Sequence, residues 1–350
     1  MKRSLTALAL AASVAVAAIP GTAQAAETDW NTVELPFLWP ESGLSEVAAD
    51  GAGGVWVGGH QGAYCVVVVI IGCVAQSEGN PVVRHRTGTS WTEYPINGWT
   101  GEGPIDLIAS AAGETWIARI RLGNNPDFLA RFDGTAFQKV DLPSGLQLEA
   151  AGTAAGETWV AGYNSEGDVN TRRMFRRTGG TWTEVGLPDG MATVSDLRPS
   201  WDGTEMWAVG LGPAVERAAA RFDGTSWTSI PPAPSVTGFS GIVPVAEDDV
   251  WATTATDVLH WDGTAWTDVP FPDEYPTRGQ FQDLAVDASG TVWVTGGGRY
   301  LHRYRDGEWT REAFAPSYGT FLNALTTVPE TGTVWAVGQD GSGAFAFTTP

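Results

Sequence analysis

Short apolar runs alternate with polar turns along the whole chain, and one type of run returns with a nearly fixed period. It centres on a tryptophan that is followed within two residues by Gly, Ala or Thr, as at residues 55–58. The seven tryptophans are Trp56, Trp116, Trp159, Trp207, Trp251, Trp293 and Trp335, spaced 42 to 48 residues apart after a first step of 60. Each run predicts a short buried strand that ends in a turn, and the period predicts a repeat protein.

Two further runs accompany each tryptophan. One contains Asp-Gly or a related turn between two apolar segments, most clearly at residues 131–137, 221–227 and 260–266. Asp-Gly in this setting is a strong hairpin signal. The other is an apolar run with a polar start that precedes the tryptophan, as at residues 105–109. One repeat is therefore four short antiparallel strands, named A to D here. Seven copies predict an all-β, seven-bladed β-propeller.

The two ends of the chain indicate how the ring closes. The seventh tryptophan is followed by one strand, at residues 344–348, and by no copy of the fourth. A matching phrase, Trp-Asn-Thr-Val-Glu-Leu-Pro, lies instead at residues 30–36. We expect this N-terminal strand to complete the last blade, which removes a sheet edge and locks the ring.

The first residues have the pattern of an export signal. Lys2 and Arg3 supply positive charge, an apolar stretch covers residues 5–18, and residues 23–25, Ala-Gln-Ala, are typical of a cleavage site. This pattern predicts a signal peptide over residues 1–25 and a secreted, extracellular protein. The single propeller domain then covers residues 26–350. No later apolar run is long enough to span a bilayer.

The chain is strongly acidic, with 40 Asp and Glu residues against 20 Lys and Arg residues and a net charge of -20. A surface of this charge repels phosphate backbones, so we expect no nucleic-acid partner. The charge also favours a soluble protein, and we expect a monomer.

The recurring residues are best explained by the fold. A buried tryptophan removes about 150 to 250 Å² from water, which suits packing between blades. The Asp of each Asp-Gly is a turn former. Function is therefore sought among the residues that differ from blade to blade.

The repeats also resemble those of known proteins. Residues 43–58, Gly-Leu-Ser-Glu-Val-Ala-Ala-Asp-Gly-Ala-Gly-Gly-Val-Trp-Val-Gly, resemble the repeats of bacterial regulator-type β-propellers. The recurring Val-Trp-Ala-Val-Gly is similar to tectonin lectin repeats. Asp-Gly-Thr-Ser-Trp is similar to the Asp-box of sialidases, but it is one residue shorter between Asp and Trp, which argues against a sialidase. The resemblance covers nearly all of the chain after the leader, and it implies the fold.

In a blade of this type, one face of the ring carries the starts of the A strands, the D-to-A connections and the B-to-C loops, and we name it the loop face. The opposite turn face carries the Asp-Gly turns. Five carboxylates lie ten or eleven residues before strand-B tryptophans and are expected to gather at the channel mouth on the loop face: Glu46, Asp106, Glu149, Asp196 and Asp283. Such a cluster binds a cation such as Ca²⁺. Alternatively, each carboxylate accepts a backbone N–H from the neighbouring blade and staples the ring.

Aromatic and polar residues are expected on the same face. The connections and loops there hold Trp39, His60, Trp99, Arg121, Asn164, Tyr275, Arg299 and Tyr318. Aromatic rings beside polar groups suit a saccharide. We therefore expect binding of a glycan, a cell-surface polymer or a protein partner. The alternative for each residue is an ordinary role in its loop.

The first tryptophan step is longer than the others, which places an insertion at about residues 62–79, in the first B-to-C loop. It contains Cys65 and Cys73, and in an exported chain this pair predicts a disulfide. The apolar, β-branched run between them predicts a flap over the loop face. The flap either packs on the propeller or contacts a partner.

Catalysis has little support in the sequence, because the common nucleophile and metal-binding histidine motifs are absent. His60 is the sole candidate general base. The leading hypothesis is a secreted, non-enzymatic binding propeller with no certain cofactor. The alternative is an extracellular lyase or hydrolase that uses His60 and the mouth carboxylates, with a divalent cation.

Overall fold

The computed structural model describes residues 30–69, 72–111, 113–120, 126–164, 166, 171–231, 238–272, 281–296, 300–312 and 320–350, and for residues 66–69 and 72–76 it describes the backbone only. Within these ranges the chain is all-β, with seven four-stranded antiparallel blades in a ring and no helix. The prediction of a seven-bladed β-propeller is confirmed. The signal peptide predicted over residues 1–25 lies outside the described residues. Nothing in the described ranges forms a helix suited to crossing a membrane.

Each blade runs from strand A, at the central channel, to strand D at the outer edge. In the order A to D, blades one to three are Gly43–Ala49, Val55–Gln61, Asn80–Thr87 and Ser90–Glu93; Leu107–Ala111, Glu114–Arg119, Phe128–Phe132 and Phe137–Lys139; Leu146–Ala154, Glu157–Asn164, Arg172–Thr178 and Thr181–Val185. Blades four to six are Asp196–Pro199, Met206–Leu211, Arg217–Phe222 and Trp227–Ile230; Phe239–Ala246, Asp249–Thr254, Val258–Trp261 and Trp266–Val269; Phe281–Val286, Val292–Gly296, Tyr300–Arg305 and Glu308–Glu312. Strands A to C of blade seven are Phe321–Val328, Thr333–Asp340 and Gly343–Thr348. A short strand, Ile96–Asn97, adds in parallel to the edge of blade two.

The N-terminal strand completes blade seven, as predicted. Asn31–Thr32 pairs antiparallel with Gly343–Thr348. The Val33 N–H then donates to the carbonyl of Ala346 at 2.9 Å, and the Val33 side chain is buried in the cluster shared by blades seven and one. The first and last strands of the chain therefore share one sheet and close the ring.

The strand-B tryptophans pack against the next blade along the chain. Trp116 and Trp207 are fully buried, and Trp251, the most accessible of the seven, is 8% exposed. Trp207 of blade four lies in one cluster with Ile242 of blade five. Trp335 of blade seven packs in the same way against blade one. The packing role expected of these residues is confirmed.

A basic side chain or a histidine on strand C lies opposite six of these tryptophans. The pairs are Trp56 with His85, Trp116 with Arg131, Trp159 with Arg176, Trp207 with Arg221, Trp251 with His260 and Trp293 with Arg303. In five blades this group also contacts a carboxylate near the A-to-B turn: Asp50, Glu114, Glu157, Glu205 or Asp249. Because the contact repeats near the turn face, it belongs to the fold and does not mark a site.

A two-stranded hairpin occupies the first B-to-C loop. Its strands, Tyr64–Val69 and Gly72–Ser77, pair antiparallel. Cys65 and Cys73 lie on opposite strands, although not directly across from each other. The disulfide between them stays a prediction, because the side chain of Cys73 is outside the described residues.

Candidate functional site

Charged side chains from three blades meet in the central channel, near the starts of the A strands. Glu46, Asp196 and Asp283 come from blades one, four and six, and Arg198 of blade four lies among them. The Nε of Arg198 donates to the two carboxylate oxygens of Asp196, at 3.2 and 3.1 Å. Three of the five carboxylates expected at the mouth thus lie within electrostatic range of Arg198, an arginine that the sequence analysis missed, and a fourth, Asp106, also acts on Glu46.

Burial sets the protonation of this cluster. It raises the pKa of Glu46 well above its usual value, while Arg198 opposes the rise and Asp283 adds to it. Burial likewise raises the pKa of Asp283 to about 6, against the opposing effect of Arg198. The attraction of Asp196 raises the pKa of Arg198, which therefore stays charged. The channel thus contains the charged guanidinium of Arg198, paired with Asp196, beside two carboxyl groups whose pKa values are raised.

The starts of the A strands also staple neighbouring blades. The Oδ2 of Asp283 accepts the Leu325 N–H of blade seven at 2.7 Å. In blade seven, the Nδ2 of Asn323 donates to the Leu44 carbonyl of blade one at 2.7 Å. Serine hydroxyls at the starts of blades one and four donate to carbonyls of the next blade. Of the five carboxylates, Asp283 therefore has the geometry of a staple between blades.

The remaining two carboxylates have local partners. The Oδ2 of Asp106 accepts the Ile120 N–H of its own blade at 2.9 Å, and burial raises the pKa of Asp106 to about 6. Glu149 forms an ion pair with Arg172 at 2.7 Å. Among the described residues, no group of three or more His, Cys, Asp or Glu side chains is arranged to hold a metal ion. Binding of Ca²⁺ by the five carboxylates stays a prediction.

His60 meets Gln339 at the seam between blades one and seven. Gly43 pairs with His60 in the sheet, and a side chain on Gly43 would collide with the Gln339 amide and the His60 ring. Burial lowers the pKa of His60, so the ring is neutral at pH 7. Within the described part of the chain, no hydrogen bond joins His60 to a mouth carboxylate.

Trp99 and Asn164 shape their own loops. The guanidinium of Arg119 lies 4.4 Å from the centre of the Trp99 ring, a cation–π contact. Arg119 also donates to the Thr100 carbonyl at 3.0 Å, so this pair holds the D-to-A connection of blade two. The Oδ1 of Asn164 accepts the Glu166 N–H at 3.2 Å.

Trp39 is one of three exposed aromatic side chains in the connection that precedes blade one and at the start of the hairpin. It is 63% exposed and contacts Phe37 edge to face, with ring centres 5.8 Å apart. Phe37 is 73% exposed, and Tyr64, at the start of the hairpin, is 58% exposed. The Trp39 N–H donates to the Gln61 side chain at 3.2 Å, which ties this connection to the base of the hairpin. We name Phe37, Trp39 and Tyr64 the aromatic patch.

Every large apolar side chain that is exposed within the described ranges lies on the loop face. Besides the aromatic patch, these are Val215, in the B-to-C loop of blade four, and Phe321, at the start of blade seven. Val215 has a φ of 68°, a strained conformation for a β-branched residue. Phe321 pairs in the sheet with Gln339, the neighbour of His60. Exposed apolar groups gathered on one face are typical of an interaction surface.

Four further residues expected to contact a ligand fall outside the described residues. They are Arg121, Tyr275, Arg299 and Tyr318. Their part in binding stays a prediction, as does that of Trp39, His60, Trp99 and Asn164.

A cavity of about 420 Å³ occupies the part of the channel nearer the turn face. Its floor includes Asp196, Arg198 and Asp283, and its rim is made of A-to-B turns, with Trp201 among them. Cavities of roughly 300 to 1,000 Å³ are usual for small-molecule sites. The sequence carried one signal for the floor, because Asp196 and Arg198 are two residues apart on a strand and face the same side. It carried none for the empty volume.

Comparison with known proteins is informative about the fold. No family profile and no curated protein matches this sequence. A catalytically inactive virginiamycin B lyase from Staphylococcus aureus, solved with quinupristin, is similar with a TM-score of 0.60 and 16% identity over 92% of this chain and 100% of that one. The WD40 β-propeller domain of Doa1 has a TM-score of 0.60 and 9% identity over 92% and 98%. YCF48 bound to a peptide has a TM-score of 0.56 and 14% identity over 92% and 95%. Likeness at these identities shows the fold alone.

Proposed function

We propose that this chain is a secreted, monomeric, non-enzymatic binding propeller that recognises its partner across the loop face. The observation that carries the proposal is that the exposed large apolar side chains of the described ranges are all on that face. Three of them form the aromatic patch beside the hairpin that interrupts the repeat. A rigid sheet scaffold holds such anchors in place before binding, which lowers the entropic cost of association.

A protein partner suits this surface best. Phe37, Val215 and Phe321 have no polar group to offer, whereas a saccharide site combines aromatic rings with polar groups that fix orientation. Aromatic anchors of this kind dominate protein interfaces. YCF48, which has the same fold, has been solved with a bound peptide. A glycan or a cell-surface polymer is the competing ligand class.

The export signal at residues 1–25 supports an extracellular location for this binding. Cys65 and Cys73 suit that compartment, where disulfides form and persist. A disulfide between them would brace the hairpin that begins with Tyr64, at the border of the aromatic patch.

Paired peptide and glycan arrays test the proposal. The chain from residue 26 onward is compared with a patch variant carrying Phe37→Ser, Trp39→Ser and Tyr64→Ser. A control variant carries Arg305→Ser and Glu308→Ser, two exposed changes on the turn face. All three proteins should melt at similar temperatures, because exposed side chains contribute little to stability.

We expect wild type and the turn-face control to be retained on peptides with aromatic or aliphatic anchors. The patch variant should be retained at least about tenfold more weakly, as expected for the loss of interface anchors. If wild type is retained on glycans and the patch variant is not, the loop face stays the binding surface and the ligand is a glycan. Equal retention of the patch variant and wild type would contradict recognition through the loop face.

A further inference from the structure

Arg198 lies at the inner end of the channel cavity with two of its nitrogens unused. Its Nε binds Asp196, whereas neither Nη1 nor Nη2 donates a hydrogen bond to any described residue. The Arg198 side chain is 35% accessible, and because Arg198 lines the cavity, this accessible part faces the cavity space. A guanidinium fixed by one carboxylate presents its other N–H groups in a defined direction.

The surrounding charges decide which acceptor suits these N–H groups. Asp196 balances the charge of Arg198, and Asp283, with its pKa of about 6, adds a negative charge at pH 7. Exposed carboxylates at the rim, from blades four and seven, extend this negative field. An anionic ligand is repelled by the field, and an ammonium group would meet the guanidinium itself. An uncharged oxygen acceptor has neither penalty.

The cavity walls are mostly apolar. They include Leu107 and Ala109 of blade two, Val243 of blade five and Leu325 of blade seven. Sites for small molecules typically combine such walls with a few polar groups that fix orientation. The part of a ligand away from Arg198 is therefore expected to be apolar.

The rim is held in place by both neighbouring blades. The Trp201 N–H donates to the Pro244 carbonyl of blade five at 3.2 Å, and the Gly203 carbonyl accepts the Ala155 N–H of blade three at 2.8 Å. Trp201 and the wall residue Val243 both pack against the apolar cluster between blades five and six. This turn is thus organised without a ligand and places an aromatic ring at the opening, which favours binding of an apolar ring.

We infer that the cavity binds an uncharged small molecule with an apolar body and a carbonyl or amide oxygen that accepts hydrogen bonds from Nη1 and Nη2 of Arg198. This site opens toward the turn face, away from the aromatic patch. It can therefore exist whether or not the loop face binds a partner, and the two proposals fail independently.

Prodan, an uncharged naphthyl ketone whose emission responds to apolar surroundings and to hydrogen bonding at the ketone, is the probe. The comparison probe is its analogue without the propionyl group. We expect one-to-one binding of prodan with blue-shifted emission, about tenfold tighter than binding of the analogue, because a hydrogen bond to a charged donor is lost. Absence of one-to-one prodan binding, or equal affinity for the two probes, would overturn the inference.

Variants locate the probe. Thr326 lines the cavity and is partly exposed, so Thr326→Trp should fill the space and weaken prodan binding at least tenfold, whereas Thr326→Ala at the same position should retain it. Arg198→Met combined with Asp196→Leu removes the donors together with the carboxylate that Nε binds, and it should abolish the preference for the ketone. Prodan binding that survives Thr326→Trp, or that is lost in the patch variant, would overturn the cavity assignment.

Discussion

At the residue scale, the tryptophans of this chain differ in burial: those of the B strands are buried between blades, whereas Trp39 is exposed on the loop face. Trp207→Ala should lower the free energy of unfolding by about 3 to 5 kcal/mol, because a fully buried side chain between blades four and five leaves a cavity. Trp39→Ala, at a position that is 63% exposed, should change it by about 0.5 kcal/mol or less. Chemical denaturation measures both. Equal losses would contradict this division.

Asp106 should make the free energy of unfolding depend on pH. Burial raises the pKa of Asp106 from its usual 3.8 to about 6, while the Ile120 N–H and Arg119 oppose the rise. Between these values the folded protein holds a proton that the unfolded chain has released. The contribution of Asp106 to the free energy of unfolding therefore falls as the pH rises from about 4 to about 6, and it stays low above that.

Asp106→Asn removes this ionisation and keeps an oxygen acceptor for Ile120. We expect the variant to melt a few degrees above wild type at pH 8 and at the same temperature at pH 4. Asp223→Asn is the control of opposite sign, since hydrogen bonds from the Ser226 and Thr225 N–H groups lower the pKa of Asp223. That control should melt below wild type at pH 8. A difference between Asp106→Asn and wild type that does not change with pH would refute the assignment.

The carboxylates also show what a sequence can predict at this scale. Spacing from the tryptophans identified the polar starts of the A strands, and Glu46, Asp196 and Asp283 do meet in the channel. The spacing could not show that Glu149 forms an ion pair with Arg172. Partners of this kind depend on side-chain direction across blades, which a repeat period does not contain.

At the element scale, the N-terminal strand is the seam of the ring. Its removal exposes the cluster around Val33 and takes the Pro36 carbonyl away from the buried guanidinium of Arg84, which binds it at 3.0 Å. Deletion of residues 30–36 should therefore lower the melting temperature by more than about 10 °C. Calorimetry measures the shift, and a synthetic peptide of residues 30–36 should restore part of it. A shift of about 2 °C or less would contradict the role of this strand.

The predicted disulfide in the hairpin of the first B-to-C loop can be tested directly. If Cys65 and Cys73 are bonded, the denatured, unreduced protein should not react with a thiol reagent. Reduction should then cost at most about 2 to 3 kcal/mol, because the closed loop is short. Two reactive thiols in the unreduced protein would refute the disulfide.

The elements themselves were largely predictable. Trp-centred runs and Asp-Gly turns gave each blade its strands, because both signals arise from local packing and turn geometry. The added strand Ile96–Asn97 was not predicted, since its parallel pairing with blade two depends on a connection that carries no turn motif. The channel cavity was not predicted either, because its volume depends on how all seven A strands are spaced.

At the scale of the whole molecule, the ring has two different faces. The turn face repeats the same contacts between carboxylates and strand-C side chains from blade to blade, and the cavity opens toward it. The loop face carries the aromatic patch, the hairpin and the strained Val215. The repeated residues explain the contacts of the turn face, apart from the cavity. The features of the loop face come from residues that differ between blades. The asymmetry is the reason to place partner recognition on the loop face.

The dissociation constant of the best array ligand, measured by calorimetry for wild type, the patch variant and Thr326→Trp, tests this assignment most directly. We predict that the patch variant binds at least about tenfold more weakly, as expected for the loss of interface anchors. Thr326→Trp, which changes only the cavity, should bind as wild type does. An unchanged dissociation constant in the patch variant would contradict recognition through the loop face.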